Sequence, residues 1–264
     1  MELITVDKEL CRRDGICLAA CPVGCIEADA EGYPVPVNES SCMGCGHCVA
    51  ICPFGALDNS RAPMADCLPA PRERATLPAL AGLMKFRRSV REFKDQAVPR
   101  ETLAGLLDIA RFAPTAVNTQ QVSYLVLADP AKTKTLAGGV AEWMRANIQA
   151  RPYFARFVEQ WDLGNDRILR GAPHVVVACG HADNQWGDVD CSIALSYLEL
   201  AAAAGGLGVC WAGLLHRALV DTPELAASIG LPKDRKVCGA LMLGVPKYKY
   251  SLVPPRNSAP VNWL

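Results

Sequence analysis

The 264-residue sequence has no excess of charge, since 27 Lys and Arg residues balance 27 Asp and Glu residues. A neutral chain is a poor candidate for binding nucleic acid or a membrane surface, because both functions need a basic excess. Residues 1–15 contain no apolar run of the length that an export signal needs. The most apolar long segment, residues 194–215, contains Glu199 and several glycines, so it is predicted to be a helix followed by a strand. These absences favour a cytoplasmic location.

A nucleotide-binding signature is also missing. No G-x-G-x-x-G follows a predicted strand, so a Rossmann-type NAD(P)H site is not expected. General disorder is excluded because 51% of the residues are apolar, and the chain is long enough to bury a large core.

Cysteine is abundant, with 13 residues, and an odd number does not suit a closed disulfide framework. In a reducing compartment, clustered cysteines bind metal or carry out redox chemistry. Nine of them precede residue 68, and Cys67 among these fits no motif and is predicted to be a free thiol. The remaining four stand singly in apolar stretches and are predicted to be buried thiols: Cys179, Cys191, Cys210 and Cys238.

Residues 42–53 read CMGCGHCVAICP, which has the spacing C-x2-C-x2-C-x3-C-P. This spacing is typical of bacterial proteins with two iron–sulfur clusters, in which the fourth cysteine binds the other cluster. Gly44 and Gly46 allow the backbone to approach the inorganic sulfides. Zinc sites usually use two separated cysteine pairs, so the spacing favours iron and sulfide over zinc.

Residues 11–26 read CRRDGICLAACPVGCI and repeat this pattern with Asp14 in place of the second cysteine. The two runs together resemble a clostridial-type ferredoxin domain with one ligand changed. The resemblance implies two sets of ligands. The first cluster has Cys11, Cys17 and Cys52, with Asp14 or a vacancy at the fourth iron; the second has Cys21, Cys42, Cys45 and Cys48.

Three alternatives remain for the fourth iron of the first cluster. Asp14 binds it as a carboxylate, or the iron is absent and the cluster is [3Fe–4S], or Cys25 replaces the missing thiol. Ligand type tunes a cluster without deciding its occupancy, so the sequence leaves all three open.

Charge and proline content divide the chain. Residues 1–60 carry three basic and nine acidic residues, a net charge of 3 − 9 = −6, which leaves +6 on residues 61–264. Residues 61–82 contain four prolines and are predicted to be a semi-extended linker. We therefore predict a ferredoxin domain over 1–60, a linker over 61–82 and a larger domain over 83–264.

The larger domain is predicted to be a sheet covered by helices, because its strands alternate with helices. One helix begins at Pro99, with Leu103, Leu106, Leu107 and Ala110 on one face, and a second is capped by Asp188 and runs to Ala204. The strands are predicted at 122–128, 174–180, 209–212 and 237–244.

Two motifs of this domain carry hydrogen-bonding side chains. In MKFRRSVREFKD, residues 84–95, Arg87 and Arg91 would lie one helical turn apart, and guanidinium groups suit phosphate oxygens and an anionic ring edge. ARFAPTAVNTQ, residues 110–120, follows the first helix. The order RRSVR, helix, APTAVNTQ, strand resembles the FMN-dependent nitroreductase family over residues 83–264, as do GGLGVCWAG and the C-terminal GVPKYKYSLVPPRN.

The resemblance implies an α+β fold, a homodimer joined by long helices, and FMN at the interface. It implies that Arg87, Ser89 and Arg91 hold the phosphate, ribityl chain and pyrimidine edge, with Arg88 contributing backbone. The opposite subunit supplies Pro114, Thr115 and Asn118, followed by Gln120. The other implied FMN contacts are Asn165, Ala212, Gly213, Leu214 and Arg256.

The fold class is therefore α+β, a small ferredoxin-like iron–sulfur domain followed by a nitroreductase-like α+β sandwich. We predict an oxidoreductase that passes electrons from NAD(P)H or reduced ferredoxin through the clusters to FMN, and then to a nitroaromatic, a quinone or an activated alkene. The chemistry belongs to the flavin, so no catalytic side chain is predicted. An electron-transfer subunit without its own substrate, and a redox sensor, are the alternatives.

Overall fold

The computed structural model describes residues 2–264 and divides the chain into two compact units. The first contains the residues up to Arg74 together with Val117–Thr119, and the second contains Ala75–Ala116 and Gln120–Leu264. Within the described residues, no helix has both the length and the apolar character needed to span a membrane. The predicted domain limits at residues 60 and 82 remain predictions.

The first unit is built from two copies of one small motif, 31 positions apart. The first copy has helix α1 (Ile16–Ala19) and strand β2 (Ile26–Ala28), and the second has α2 (His47–Ala50) and β4 (Leu57–Asn59). Strands β1 (Ile4–Val6) and β3 (Pro34–Pro36) pair antiparallel with β4 and β2, respectively. Such short elements bury little apolar surface, so they contribute little stability by themselves.

The second unit is centred on a four-stranded antiparallel sheet with the order β5-β6-β8-β7. The strands are β5 (Ser123–Leu127), β6 (His174–His181), β7 (Gly208–Trp211) and β8 (Arg235–Gly244). The helices are α3 (Leu77–Phe86), α4 (Arg100–Ala110), α5 (Pro130–Ala146), α6 (Phe154–Asp162), α7 (Gly187–Ala204), α8 (Gly213–Asp221) and α9 (Pro223–Ser228).

Helices cover both faces of this sheet, as β6 shows most clearly. Val175 and Val177 pack into one core with α5, α6 and α8, while Val176 and Ala178 pack into a second core with α4 and α7. A strand covered on both faces is apolar at successive positions, which explains the run HVVVACG. Burying one valine side chain stabilises the fold by about 1.5–3 kcal/mol. The predicted α+β sandwich is confirmed.

Several local predictions are confirmed. Helix α4 buries Leu103, Leu106 and Ala110 on one face, and the four predicted strands are present within one or two residues. The thiols of this unit that were predicted to be buried are at most 4% exposed: Cys179, Cys191, Cys210 and Cys238.

Three local predictions are wrong. Residues 77–82 are helical, because Pro78 lies in the first turn of α3, where a missing N–H costs nothing. Asp188 does not cap α7. The helix begins at Gly187 after Trp186, and Asp188 lies in the first turn, where its charge favours the helix dipole. The residues after Phe86 are not helical, so Arg87 and Arg91 do not share a helical face.

Candidate functional site

In the first unit, two cavities are lined by the side chains that the sequence predicts as cluster ligands. Around the first cavity the structure brings together four predicted ligands: Cys11, Asp14, Cys17 and Cys52. The second cavity is lined by the other four predicted ligands: Cys21, Cys42, Cys45 and Cys48. Cys25 and Asn59 are among the further residues that line it. Each cavity takes ligands from both copies of the repeat, so neither copy can form a complete site alone.

Backbone groups near the thiols follow the same repeat. The N–H of Cys25 donates to Sγ of Cys21 at 3.2 Å, and the N–H of Ala56 donates to Sγ of Cys52 at 3.3 Å. Gly15 and Gly46 precede the two short helices in the left-handed region, with φ of 72° and 69°. A glycine adopts this conformation without strain, and the turn brings the backbone close to the cavity.

Asp14 and Cys25 occupy different cavities. Asp14 lines the first one, at the position that Cys45 holds in the second copy, and its Oδ1 accepts the N–H of Ile16 at 3.2 Å. Cys25 is 2% exposed beside the second cavity, and its Sγ donates to the carbonyl of Asn38 at 3.6 Å. The structure therefore places the Asp14 carboxylate, and not the Cys25 thiol, at the first cavity.

Burial also affects the protonation of the ligand thiols. It raises the pKa of Cys17 and of Cys48, since desolvation penalises the thiolate. Iron offsets this cost, because a bound cation favours the deprotonated ligand. The donor set of four thiols at the second cavity, and of three thiols with a carboxylate at the first, fits iron–sulfur clusters.

Asn59 was not identified from the sequence. It is 3% exposed, and its Nδ2 donates to Sγ of Cys42 at 3.8 Å and of Cys48 at 3.7 Å. No sequence signal marked it, because it follows Asp58 in β4 and the first copy of the repeat has Ala28 at the equivalent position.

In the second unit, the segment with the predicted FMN arginines is extended and lies beside β7. Ser89 forms a parallel bridge with Val209, and the N–H of Val90 donates to the Val209 carbonyl at 2.9 Å. Arg87 forms an ion pair with Glu199 of α7, with side chains 22% and 12% exposed. The sequence did not indicate Glu199 as the partner of Arg87, because the two residues are far apart along the chain.

The other two arginines differ in their surroundings. Nε of Arg88 is buried and has no hydrogen-bond partner among residues 2–264. A buried donor left unpaired is costly, so this group fits a site that a ligand completes. Arg91 is exposed, and its Nη1 donates to the carbonyl of Ser89 at 3.3 Å. Burial raises the pKa of Cys210, while the charges of Arg91 and Arg170 oppose the rise.

The APTAVNTQ segment is held by one internal hydrogen bond and by bonds to residues outside it. The Thr115 hydroxyl accepts the N–H of Gln120 at 3.0 Å, and the N–H of Ala116 donates to Oδ1 of the buried Asp190 at 2.9 Å. Asn118 belongs to the first unit, where its Nδ2 donates to the carbonyls of Met43 and Gly44 at 3.2 and 3.1 Å.

The remaining predicted FMN residues are spread over the second unit. Ala212 is buried and its N–H donates to the Ala240 carbonyl at 2.8 Å. Gly213 follows as the first residue of α8, and a Cβ placed there would meet no atom of residues 2–264 within 4 Å, apart from its chain neighbours and the backbone of its own helix. Among the other predicted FMN residues, Pro114 is exposed and Leu214 is half-buried. Arg256 is exposed in a C-terminal segment without helix or strand. Asn165 is exposed after α6, and its Nδ2 donates to Oε1 of Gln160 at 3.3 Å.

Comparison with family models assigns both parts of the chain. The model described as the nitroreductase family matches residues 84–245, and a 4Fe-4S dicluster domain matches residues 3–53. The chain belongs to the nitroreductase family. It is an FMN-dependent oxidoreductase with an iron–sulfur dicluster domain before the nitroreductase domain, as the sequence predicted.

Curated relatives resemble the nitroreductase domain. The 5,6-dimethylbenzimidazole synthase of Rhodospirillum rubrum is 28% identical over 66% of this chain and 84% of the relative. The chloronitrobenzene nitroreductase of Comamonas testosteroni is 25% identical over 64% and 87%. The FMN reductase [NAD(P)H] of Bacillus subtilis is 28% identical over 66% and 69%.

Solved structures share the fold. A nitroreductase with bound FMN from Bacteroides fragilis has a TM-score of 0.59, at 22% identity, over 70% of this chain and 97% of that one. A nitroreductase with bound FMN from Desulfitobacterium hafniense has a TM-score of 0.60, at 20% identity and the same coverage. The second unit therefore has the nitroreductase fold.

Proposed function

We propose that this protein carries electrons from an external donor through two iron–sulfur clusters to FMN, and reduces an electron-poor organic acceptor. The observation that carries the proposal is that one chain holds two cavities lined by cluster ligands and a nitroreductase domain. Clusters pass single electrons, whereas FMN accepts one or two and delivers a pair. The chain can thus convert single-electron transfer into two-electron reduction.

At the first cavity, Asp14 is the fourth protein ligand of the cluster in this proposal. Its carboxylate lies where the repeat has Cys45, and its Oδ1 accepts the N–H of Ile16, while Oδ2 has no hydrogen bond within residues 2–264. A carboxylate can bind iron through its other oxygen. Cys25 lines the second cavity and is therefore the less suitable candidate for the fourth ligand of the first cluster.

For FMN, the residues of the extended segment after α3 are proposed to hold the phosphate and the pyrimidine edge. Arg87, Ser89 and Arg91 supply guanidinium and hydroxyl donors, and the unpaired Nε of Arg88 fits a ligand that is a hydrogen-bond acceptor. Arg256 supplements the positive charge. The open space at Gly213 suits the close approach of a flat ring at the N5 side, with Ala212 and Leu214 beside it.

A homodimer is proposed to complete the site. Pro114 and Gln120 are exposed, and Thr115 and Asn118 are half-buried; this exposure supports a contact between the segment and a second copy. The exposed Asn165 is proposed to lie at the flavin edge.

The names of two similar proteins support the choice of electron donor and electron acceptor. The Bacillus relative is an NAD(P)H-dependent FMN reductase and the Comamonas relative is a chloronitrobenzene nitroreductase. We propose NAD(P)H or reduced ferredoxin as donor, and a nitroaromatic, a quinone or an activated alkene as acceptor.

The test begins with cofactor content. Anaerobically purified protein should contain about one FMN and seven to eight irons per chain. Stoichiometric zinc without iron would exclude the cluster proposal. Rapid mixing of the protein with NADH, NADPH or reduced ferredoxin then identifies the electron donor. The Cys48→Ser variant, which lacks one ligand of the second cavity, is compared with the wild type. No turnover of any nitroaromatic, quinone or activated alkene, with electron transfer to dyes retained, would contradict the enzymatic role and indicate a carrier.

A further inference from the structure

The side chain of Asn59 is held in one orientation against the second cavity. Its Oδ1 accepts the N–H of Arg61 at 2.9 Å, and its Nδ2 donates to the sulfur atoms of Cys42 and Cys48. A flip of the amide would place the oxygen against two sulfur atoms and the NH2 group against the N–H of Arg61. Both contacts would then be unfavourable, so the backbone of Arg61 fixes the donor toward the thiols.

The first cavity has no equivalent donor. The repeat of 31 positions places Ala28, an exposed residue, where the second copy has Asn59. Among the described residues that line the first cavity, none has a side-chain amide. The two cavities therefore differ in two ways. The second has the amide donor of Asn59, and the first has Asp14 where the second has Cys45.

Hydrogen bonds to ligand sulfur atoms change the reduction potential of a cluster. A reduced cluster carries one more negative charge than the oxidised one, so an N–H donor stabilises the reduced form more. The effect is larger for a buried donor, since the surrounding dielectric is low. Asn59 is 3% exposed and serves two thiols of the same cavity.

We propose that Asn59 is a positioning residue that raises the reduction potential of the second cluster, and only of the second, so that an electron entering the pair is biased toward that cluster. The step is a one-electron reduction by an external donor, in which no bond forms and no proton moves. The inference rests on the part of the proposed function that fills both cavities with clusters.

The test is a redox titration of the full chain, followed by electron paramagnetic resonance, for the wild type, Asn59→Leu and Asn59→Asp. Asn59→Leu removes the amide at similar size, and Asn59→Asp keeps an acceptor for Arg61 while removing the donor. We expect each change to lower the equilibrium constant for reduction of the second cluster by about threefold or more. This corresponds to a midpoint potential lower by about 30 mV for one electron. The first cluster is the internal control, and an Asp14→Cys background identifies its signal.

The outcomes separate the inference from the proposed function. A wild-type protein without two reducible centres contradicts the proposed function. If both variants keep two reducible centres and the midpoint potential of the second cluster stays within about 30 mV of the wild-type value, the inference alone is overturned. Equal shifts of both clusters, or loss of iron from both variants, would show that Asn59 acts on the fold in general, which also overturns it.

Discussion

Arg87 and Glu199, which lie 112 positions apart in the sequence, form a half-buried ion pair in the nitroreductase domain. The pair connects the extended segment after α3 to the long helix α7. It holds a guanidinium group that we propose as an FMN phosphate ligand, and it balances a carboxylate that is largely removed from solvent.

Replacing Arg87 should therefore affect both stability and FMN binding. Arg87→Ala leaves the Glu199 carboxylate without its partner, and we expect a loss of about 2 kcal/mol in the free energy of unfolding together with lower FMN content. Glu199→Gln should keep FMN, because the arginine remains. Denaturant unfolding and flavin absorbance measure the two effects.

Arg111→Ala is the matched control, since its pair with Asp108 is 61% and 64% exposed. That change should alter the free energy of unfolding by no more than about 0.5 kcal/mol and leave FMN content unchanged. Wild-type FMN content in Arg87→Ala would show that this arginine does not bind the cofactor.

Asp14 should determine the iron content of the first cluster. Asp14→Ala removes the carboxylate, so we expect the loss of about one iron per chain and the resonance signal of an oxidised three-iron cluster. Asp14→Cys should retain the iron with a full set of thiol ligands. Cys25→Ala is the control, because Cys25 lines the other cavity, and it should leave the first cluster unchanged. An unaltered first cluster in Asp14→Ala would rule out carboxylate ligation.

Gly208 and Gly213 should respond differently to the same added methyl group. A Cβ at Gly208 would lie 2.7–2.8 Å from three side-chain atoms of Val90, so Gly208→Ala should cost about 1–3 kcal/mol of stability. A Cβ at Gly213 meets no atom of the rest of the described chain within 4 Å, so Gly213→Ala should fold normally and yet bind FMN more weakly. Thermal unfolding and flavin fluorescence titration distinguish the two. Equal FMN affinity in Gly213→Ala and wild type would contradict the proposed approach of the ring.

His174 should make stability depend on pH. It is 1% exposed, its Nε2 accepts the N–H of Val98 at 2.7 Å, and burial lowers its pKa below the usual 6.5. As the pH falls below 6.5, the unfolded chain binds a proton that the folded chain does not. The free energy of unfolding should therefore decrease, by up to about 1.4 kcal/mol per pH unit, until the pH passes the pKa of the folded state.

His174→Gln, which keeps an acceptor for Val98, should reduce this dependence in urea unfolding between pH 5 and 8. His216→Gln, which removes a half-buried histidine of α8, is the control and should retain the wild-type slope. Parallel slopes in wild type and His174→Gln would assign the dependence to other groups.

Local patterns determined much of the site. The resemblance of the two cysteine runs to a two-cluster ferredoxin implied the ligand sets. The structure places the first three positions of each run at one cavity and the last cysteine of the run at the other. The apolar run at 174–180 similarly predicted β6, since it has to be buried on both faces. The arrangement of the arginines was mispredicted, because the helix ends at Phe86 where the next residues pair with β7.

The sequence by itself determined the two families and the order of the main elements, because each is encoded in residues that are close along the chain. Only the tertiary structure decided that Asn59 faces the thiols of Cys42 and Cys48, that Cys25 lies at the second cavity, and that Glu199 pairs with Arg87. These contacts join residues that strand pairing and helix packing bring together, and no periodicity or spacing in the sequence records them.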